Sequence, residues 1–194
     1  GASTKFLRER IGEGPTAYQD EILGELPVKK RVAVRSPHAV GKTALAAWAV
    51  IHFALTREWD DWKVPTTAGS WRQLVHYLWP EIHKWARRLR WDTLSRRPFD
   101  PRSELLTLNL RLAGGEAFAA TSDQPDLMEG AHARCLLYVF DEAKSIPVKM
   151  WDSAEGAFFG ADEAYALAIS VPGPPLGRFY DLHAKKQGLR DWWT

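Results

Sequence analysis

The stretch RSPHAVGKTALAAW, residues 35–48, decides how this chain folds. It follows a β-like run, Arg31-Val32-Ala33-Val34-Arg35, and opens into an apolar helical pattern, with Gly41-Lys42-Thr43 at the junction. A strand that passes through such a loop into a helix is the setting of a phosphate cradle. Backbone N–H groups point inward there, and the helix N-terminus favours an anion. The loop then comprises Ser36, Pro37, His38, Ala39, Val40, Gly41, Lys42 and Thr43. Lys42 would bring a mobile positive charge to the β- and γ-phosphates, and the Thr43 hydroxyl would ligate Mg²⁺. The pattern G-x-x-x-x-G-K-[ST] asks for Gly at position 36, where this chain has Ser36. Gly-Lys-Thr alone recurs by chance, so its weight comes from the strand and helix on either side.

A site of this kind needs a second half. The run CLLYVF, residues 135–140, is continuously apolar, as a strand buried on both faces of a parallel sheet would be. Asp141 and Glu142 follow at its carboxyl end, where open α/β sheets bind ligands. Asp141 would hold Mg²⁺ through water, and Glu142 would orient and deprotonate an attacking water. Alone, an Asp-Glu pair after a strand reads as a solvated acidic turn. Together with the upstream loop it is far more specific, and it favours a hydrolase.

The rest of the chain fits around these two strands. Helical patterns are expected at 16–24, 42–56, 70–90, 147–156 and 177–187. Strands are expected at 31–35, 64–68, 105–112, 116–120, 135–140 and 164–171, with Gly114-Gly115 turning one strand pair. Strands alternating with helices predict an α/β, three-layer fold: a mainly parallel sheet with helices on both faces. A length of 194 residues suits one such domain. The longest apolar run, Ala44 to Leu55, is interrupted by His52 and is too short to cross a bilayer, so no membrane partner is expected. The single cysteine, Cys135, allows no intrachain disulfide and favours an intracellular setting. An opening Gly1-Ala2-Ser3 rather than Met reads as a processed or recombinant fragment.

Four segments also resemble, in order, the ATPase domain of phage large terminase subunits, the motors that drive double-stranded DNA into viral proheads. They are VRSPHAVGKTALAAW, PTTAGSWRQL, EGAHARCLLYVFDEAKSIP and ISVPGPPLGRFYDLH, and the likeness runs from about Tyr18 to His183. The resemblance implies a P-loop NTPase of the additional-strand, RecA-like type, with ATP and Mg²⁺ as cofactors. Its partners would be double-stranded DNA, a portal protein and a small terminase subunit, in a homo-oligomeric ring in the host cytoplasm. It also implies one ATPase domain over 1–194, without the family's C-terminal nuclease domain and so without DNA cleavage. PTAYQDEIL matches the adenine-recognition segment, placing Tyr18 and Gln19 beside the base. An amide can pair with the N6/N7 edge of adenine; otherwise Gln19 is a surface residue at a helix start. Asp141 and Glu142 match the metal-holding and catalytic carboxylates. Ser170, ending the strand YALAIS, falls where the family has a small polar coupling residue, although SVPG departs from the family's usual Asn-Pro-type sequence.

Phosphoryl transfer also benefits from an arginine. Arg35, beside the loop, is the candidate in cis. Arg134, Arg102 and Arg178 are candidates to reach a neighbouring subunit's site, and the sequence leaves the choice open. Residues 70–97 carry seven basic residues against Glu81 and Asp92, a surplus of five. Lys84, Arg87, Arg88, Arg90, Arg96 and Arg97 are therefore candidate DNA contacts, a solvated helix face being the plainer alternative. Trp71, Leu74, Leu78, Ile82, Trp85 and Leu89 recur at helical spacing and predict the buried stripe of that helix. His38, His76, His83, His132 and Cys135 have no zinc spacing, and a guanine-reading Asn-Lys-x-Asp is absent. Two other readings stay open: a helicase-like ATPase lobe, and a module in which nucleotide binding alone switches a DNA or protein contact.

Overall fold

A computed structural model describes residues 16–37, 41–184, 192 and 194. Among these, helix α1 (Ala17–Lys29) leads into β1 (Arg31–Arg35), and α2 (Lys42–Arg57) leads into β2 (Trp62–Ala68). A helical rod follows: α3 (Trp71–Gln73), a π-helical turn (Leu74–Leu78) and α4 (Trp79–Arg88). The hairpin β3 (Asn109–Leu112) and β4 (Gly115–Ala119) comes next, then α5 (Pro125–Glu129), β5 (Cys135–Asp141), α6 (Val148–Phe158), β6 (Glu163–Ser170) and α7 (Arg178–Ala184).

The six strands form one sheet in the order β1-β6-β5-β2-β4-β3. All neighbours are parallel except β3 and β4, which pair antiparallel through the Gly114 turn at the sheet edge. Gly114 has φ +87, and a Cβ there would lie 1.7 Å from the Asp60 carbonyl oxygen, so only glycine fits. Strand β6 stands between the loop-bearing β1 and the acidic β5, which is the additional strand expected from the resemblance.

Alternation along β5 divides the core. Cys135, Leu137 and Val139 face one apolar cluster with Leu45, Ile51, Leu78 and Ile82 from α2 and the rod. Leu136, Tyr138 and Phe140 face the other, with Met128, Trp151 and Phe179 from α5, α6 and α7. Both faces are covered, which gives the three layers and explains why CLLYVF carries no charged residue; the Tyr138 hydroxyl donates to the Met128 carbonyl. Among the described residues no helix is long and apolar enough to cross a membrane.

Three expectations need correction. The helix expected at 70–90 is a rod whose middle turn is π-helical: the Trp79 N–H reaches back five residues to the Leu74 carbonyl. Pro80 follows directly and has no N–H to continue an α-helical ladder, so the wider turn takes up the fault. Trp71 does not join the buried stripe and is 47% exposed, whereas Leu74, Leu78, Ile82, Trp85 and Leu89 are buried. The strand expected at 105–112 begins only at Asn109, Leu105 making a single bridge to Leu110.

Candidate nucleotide site

The strand register brings the candidate residues together. Arg35 pairs with Ser170 across β1 and β6, Ile169 with Asp141 across β6 and β5, and Asp141 with Ala68 across β5 and β2. Four carboxyl ends thus lie in one row beneath the start of α2.

On the loop side, the Ser36 N–H donates to the Ser170 carbonyl at 3.1 Å, and the Ser36 hydroxyl lies 3.1 Å from the Tyr18 hydroxyl. The side chain at position 36 therefore has a partner, and Ser36 ties the loop to α1 where a glycine could not. Gly41 caps α2 with φ +74, and a Cβ there would come within 2.4 Å of Gln19 Nε2. Gln19 itself is 5% exposed, so it is not a surface residue. Its Oε1 accepts from the Thr16 N–H at 3.0 Å and its Nε2 donates to the Gly41 carbonyl at 3.2 Å. Both ends of the amide are thus engaged, in capping α1 and in holding the loop. Lys42 Nζ folds back to donate to the Ser36 carbonyl at 3.2 Å and to the Pro37 carbonyl. Partial burial lowers its pKa, while Asp141 opposes that shift. His38, Ala39 and Val40 lie outside the described residues.

On the acidic side, Asp141 is 4% exposed and burial pushes its pKa up to about 6. The Glu142 carboxylate adds to that rise. Hydrogen bonds from Gln73 Nε2 at 2.9 Å and the Glu142 N–H at 3.0 Å, with the charge of Lys42, work against it. Glu142 adopts the left-handed conformation, φ 49 and ψ 48. For a side chain with a Cβ this costs on the order of 1–3 kcal/mol, and such strain concentrates at functional positions. Gly69 packs flush against the turn, since a Cβ there would meet Ser145 Cβ at 2.5 Å. Buried Ser170 joins the two halves: its hydroxyl accepts from the Lys144 N–H at 3.3 Å while its carbonyl holds Ser36.

A cleft of about 870 Å³ opens over this row, walled on one side by Gly41, Lys42 and Thr43, on the other by the rod, and floored by Asp141, Glu142 and Ser170. Gln73 was not singled out by its sequence, although Ser70-x-x-Gln73 after a strand end carries a capping signal: Ser70 Oγ accepts the Gln73 N–H at 3.2 Å. Arg35 is exposed at the end of β1 and does not line the cleft among the described residues. Arg134 precedes β5, at the opposite end of the sheet, in ion pairs with Asp60 and Asp162. Arg178 pairs with Asp152, and Arg102 is exposed. The basic segment divides. Arg96 is half-buried between Glu58 and Glu104, both at 2.6 Å, and Arg97 also pairs with Glu104. The Arg96 guanidinium thus braces the fold. Lys84, paired with Glu81 at 2.9 Å, and Arg87 line the cleft. Arg88 lies over the Trp85 ring, and Arg90 is exposed.

No family model matches the chain. Over 182 residues, 89% of its length, it is 28% identical to a protein of Enterobacteria phage P7 named "Probable terminase, large subunit". It spans 35% of that relative's length. Among solved structures, the large terminase ATPase domain of Thermus phage P74-26 superposes with a TM-score of 0.70 at 21% identity, covering 91% of this chain and 72% of that one. The large terminase of a thermophilic bacteriophage in complex with ADP gives 0.66 at 15%, covering 91% and 44%. S. cerevisiae Dbp5 bound to RNA and ADP BeF3 gives 0.53 at 14%, also covering 91% and 44%. The chain thus has the fold of a phage large terminase ATPase domain, and its sequence resembles a large terminase subunit.

Proposed function

We propose that this chain hydrolyses ATP and that the hydrolysis drives double-stranded DNA into a viral prohead. The observation that carries the reading is the cleft in which Lys42 and Thr43 face Asp141 and Glu142, with Ser170 bonded to both halves. Thr43 and Asp141 offer the oxygen donors that Mg²⁺ prefers, and both line that cleft. Bound there, Mg²⁺ would neutralise charge on the β- and γ-phosphates. Lys42 exchanges its loop carbonyls for phosphate oxygens, and Glu142 accepts the proton of the attacking water. Ser170 relays the state of the acidic turn to the loop. The ADP complex of the thermophilic phage's terminase supports a nucleotide in a cleft of this fold. The phage P7 relative, named as a probable large terminase subunit, supports the packaging role; the ring of subunits, the portal, the small subunit and the host cytoplasm are part of the proposal.

The test is the ATPase rate per subunit against protein concentration, with and without double-stranded DNA. A rate that climbs with concentration and with DNA is expected, because a site completed by a neighbour works only in the assembly. A rate indifferent to both removes the ring and the DNA, and no hydrolysis under any condition removes the ATPase.

The raised pKa of Asp141 makes a second prediction. Its carboxyl is ordinarily at 3.8 and is held at about 6 in the fold, so the folded state binds the proton more tightly. This group's contribution to stability is greatest below 3.8 and falls as pH rises through 6. Mg²⁺ requires the ionised form, so Mg²⁺-dependent nucleotide affinity should fall as pH drops through about 6, by up to ~10-fold per unit below it. Binding titrations between about pH 5 and pH 8 on wild type and Asp141→Asn read this. The variant should lose the part of the profile that belongs to the protein, and identical profiles would contradict the assignment.

A further inference from the structure

The rod wall of the cleft carries two guanidinia, Arg72 and Arg87, and Arg72 is the one next to Gln73, which is bonded to the Asp141 carboxylate. Arg72 is exposed and lines the cleft with Lys42, Thr43, Asp141 and Glu142. Its backbone is held on both sides. Gly69 is flush with the acidic turn, and Gln73 is bonded to the Asp141 carboxylate at 2.9 Å and to Ser70 Oγ at 3.2 Å. Arg72 therefore departs from a clamped turn next to the carboxylate that would hold Mg²⁺. Lys84 on the same wall is paired with Glu81 at 2.9 Å, and Lys42 donates to loop carbonyls. Arg72 makes no ion pair or hydrogen bond among the described residues, and it faces a cleft lined by several cations. Arg35, the candidate named from its place beside the loop, does not line that cleft.

We propose that Arg72 is the cis arginine of the site, contacting the γ-phosphate of ATP; this rests on the ATPase reading above. In the reaction a water oxygen bonds to Pγ as the bond from Pγ to the bridging oxygen breaks. The electron pair leaves on the β-phosphate of ADP, and the water's proton passes to Glu142. Arg72 stabilises the charge on the equatorial γ-oxygens, and its fork suits phosphate oxygens better than a lysine would. Because Gln73 holds the Asp141 carboxylate, the same turn that supplies the arginine also fixes the metal-holding group. Contact with γ-phosphate is therefore read out along the rod.

The experiment uses Arg72→Ala and Arg72→Lys with two readouts: ATP turnover, and affinity for ADP beside a non-hydrolysable triphosphate. Wild type should prefer the triphosphate, and Arg72→Ala should lose about 10-fold or more of that preference with ADP affinity unchanged. Its kcat should fall by about 10²-fold or more, with KM changed less, and Lys should restore part of the loss. Wild-type discrimination and turnover in Arg72→Ala would overturn the inference while leaving the ATPase intact. So would a variant that loses only double-stranded DNA affinity, which would make Arg72 a DNA contact. A wild-type protein that neither binds nor hydrolyses ATP would sink the ATPase reading and the inference with it.

Discussion

Glu142→Gln is expected to cut kcat for ATP hydrolysis by about 10²- to 10⁴-fold while leaving ATP bound, because the amide cannot take the proton of the attacking water. The substitution is close to isosteric and keeps the left-handed backbone at φ 49, so it neither adds nor relieves the strain of that turn. The groups expected to hold the nucleotide, Lys42, Thr43 and Asp141, are untouched. Removing the negative charge also removes one of the causes that raise the pKa of Asp141. Affinity for Mg²⁺ and ATP should therefore stay level or improve. Steady-state phosphate release beside equilibrium nucleotide binding separates the two effects. Wild-type turnover in this variant would take Glu142 out of the chemistry.

Lys42→Ala should fail in both respects. The ammonium group sits in the cleft on the Ser36 and Pro37 carbonyls, close enough to Asp141 for the two charges to influence each other's pKa. Loss of a charge-assisted contact to phosphate should weaken triphosphate binding by roughly 10- to 100-fold. Loss of a preorganised positive charge should lower kcat by a further ~10²- to 10³-fold. Lys42 is only partly buried, so thermal unfolding should barely move; a collapse in Tm would mean that lost activity reports lost fold. Full binding with full turnover would contradict the phosphate role of the loop.

Much of the architecture was legible because two signals are local. The CLLYVF run shows a strand covered on both faces, and Gly41-Lys42-Thr43 marks the entry to a helix. Neither signal says which strands are neighbours. The insertion of β6 between β1 and β5 brings Ser170 against both Ser36 and Lys144, and that is a long-range packing result. Sequence distance misleads in the other direction at Arg134. It is seven residues from Asp141, yet a strand rises about 3.3 Å per residue, so the two lie at opposite ends of the sheet. Arg96 reads as one more positive charge in a basic run, but its partners Glu58 and Glu104 come from separate segments. Gln73 escapes notice for a similar reason. A capping glutamine is ordinary, and only the pairing of β2 with β5 places its amide on Asp141.

The most direct test is a crystal structure with Mg²⁺ and ADP plus beryllium fluoride standing in for the γ-phosphate. Lys42 Nζ should be released from the Ser36 and Pro37 carbonyls onto the phosphates, with the metal between Thr43 and Asp141 and Glu142 facing the γ-position. A nucleotide seated away from the 36–43 loop, or a metal held without Asp141, would contradict this arrangement.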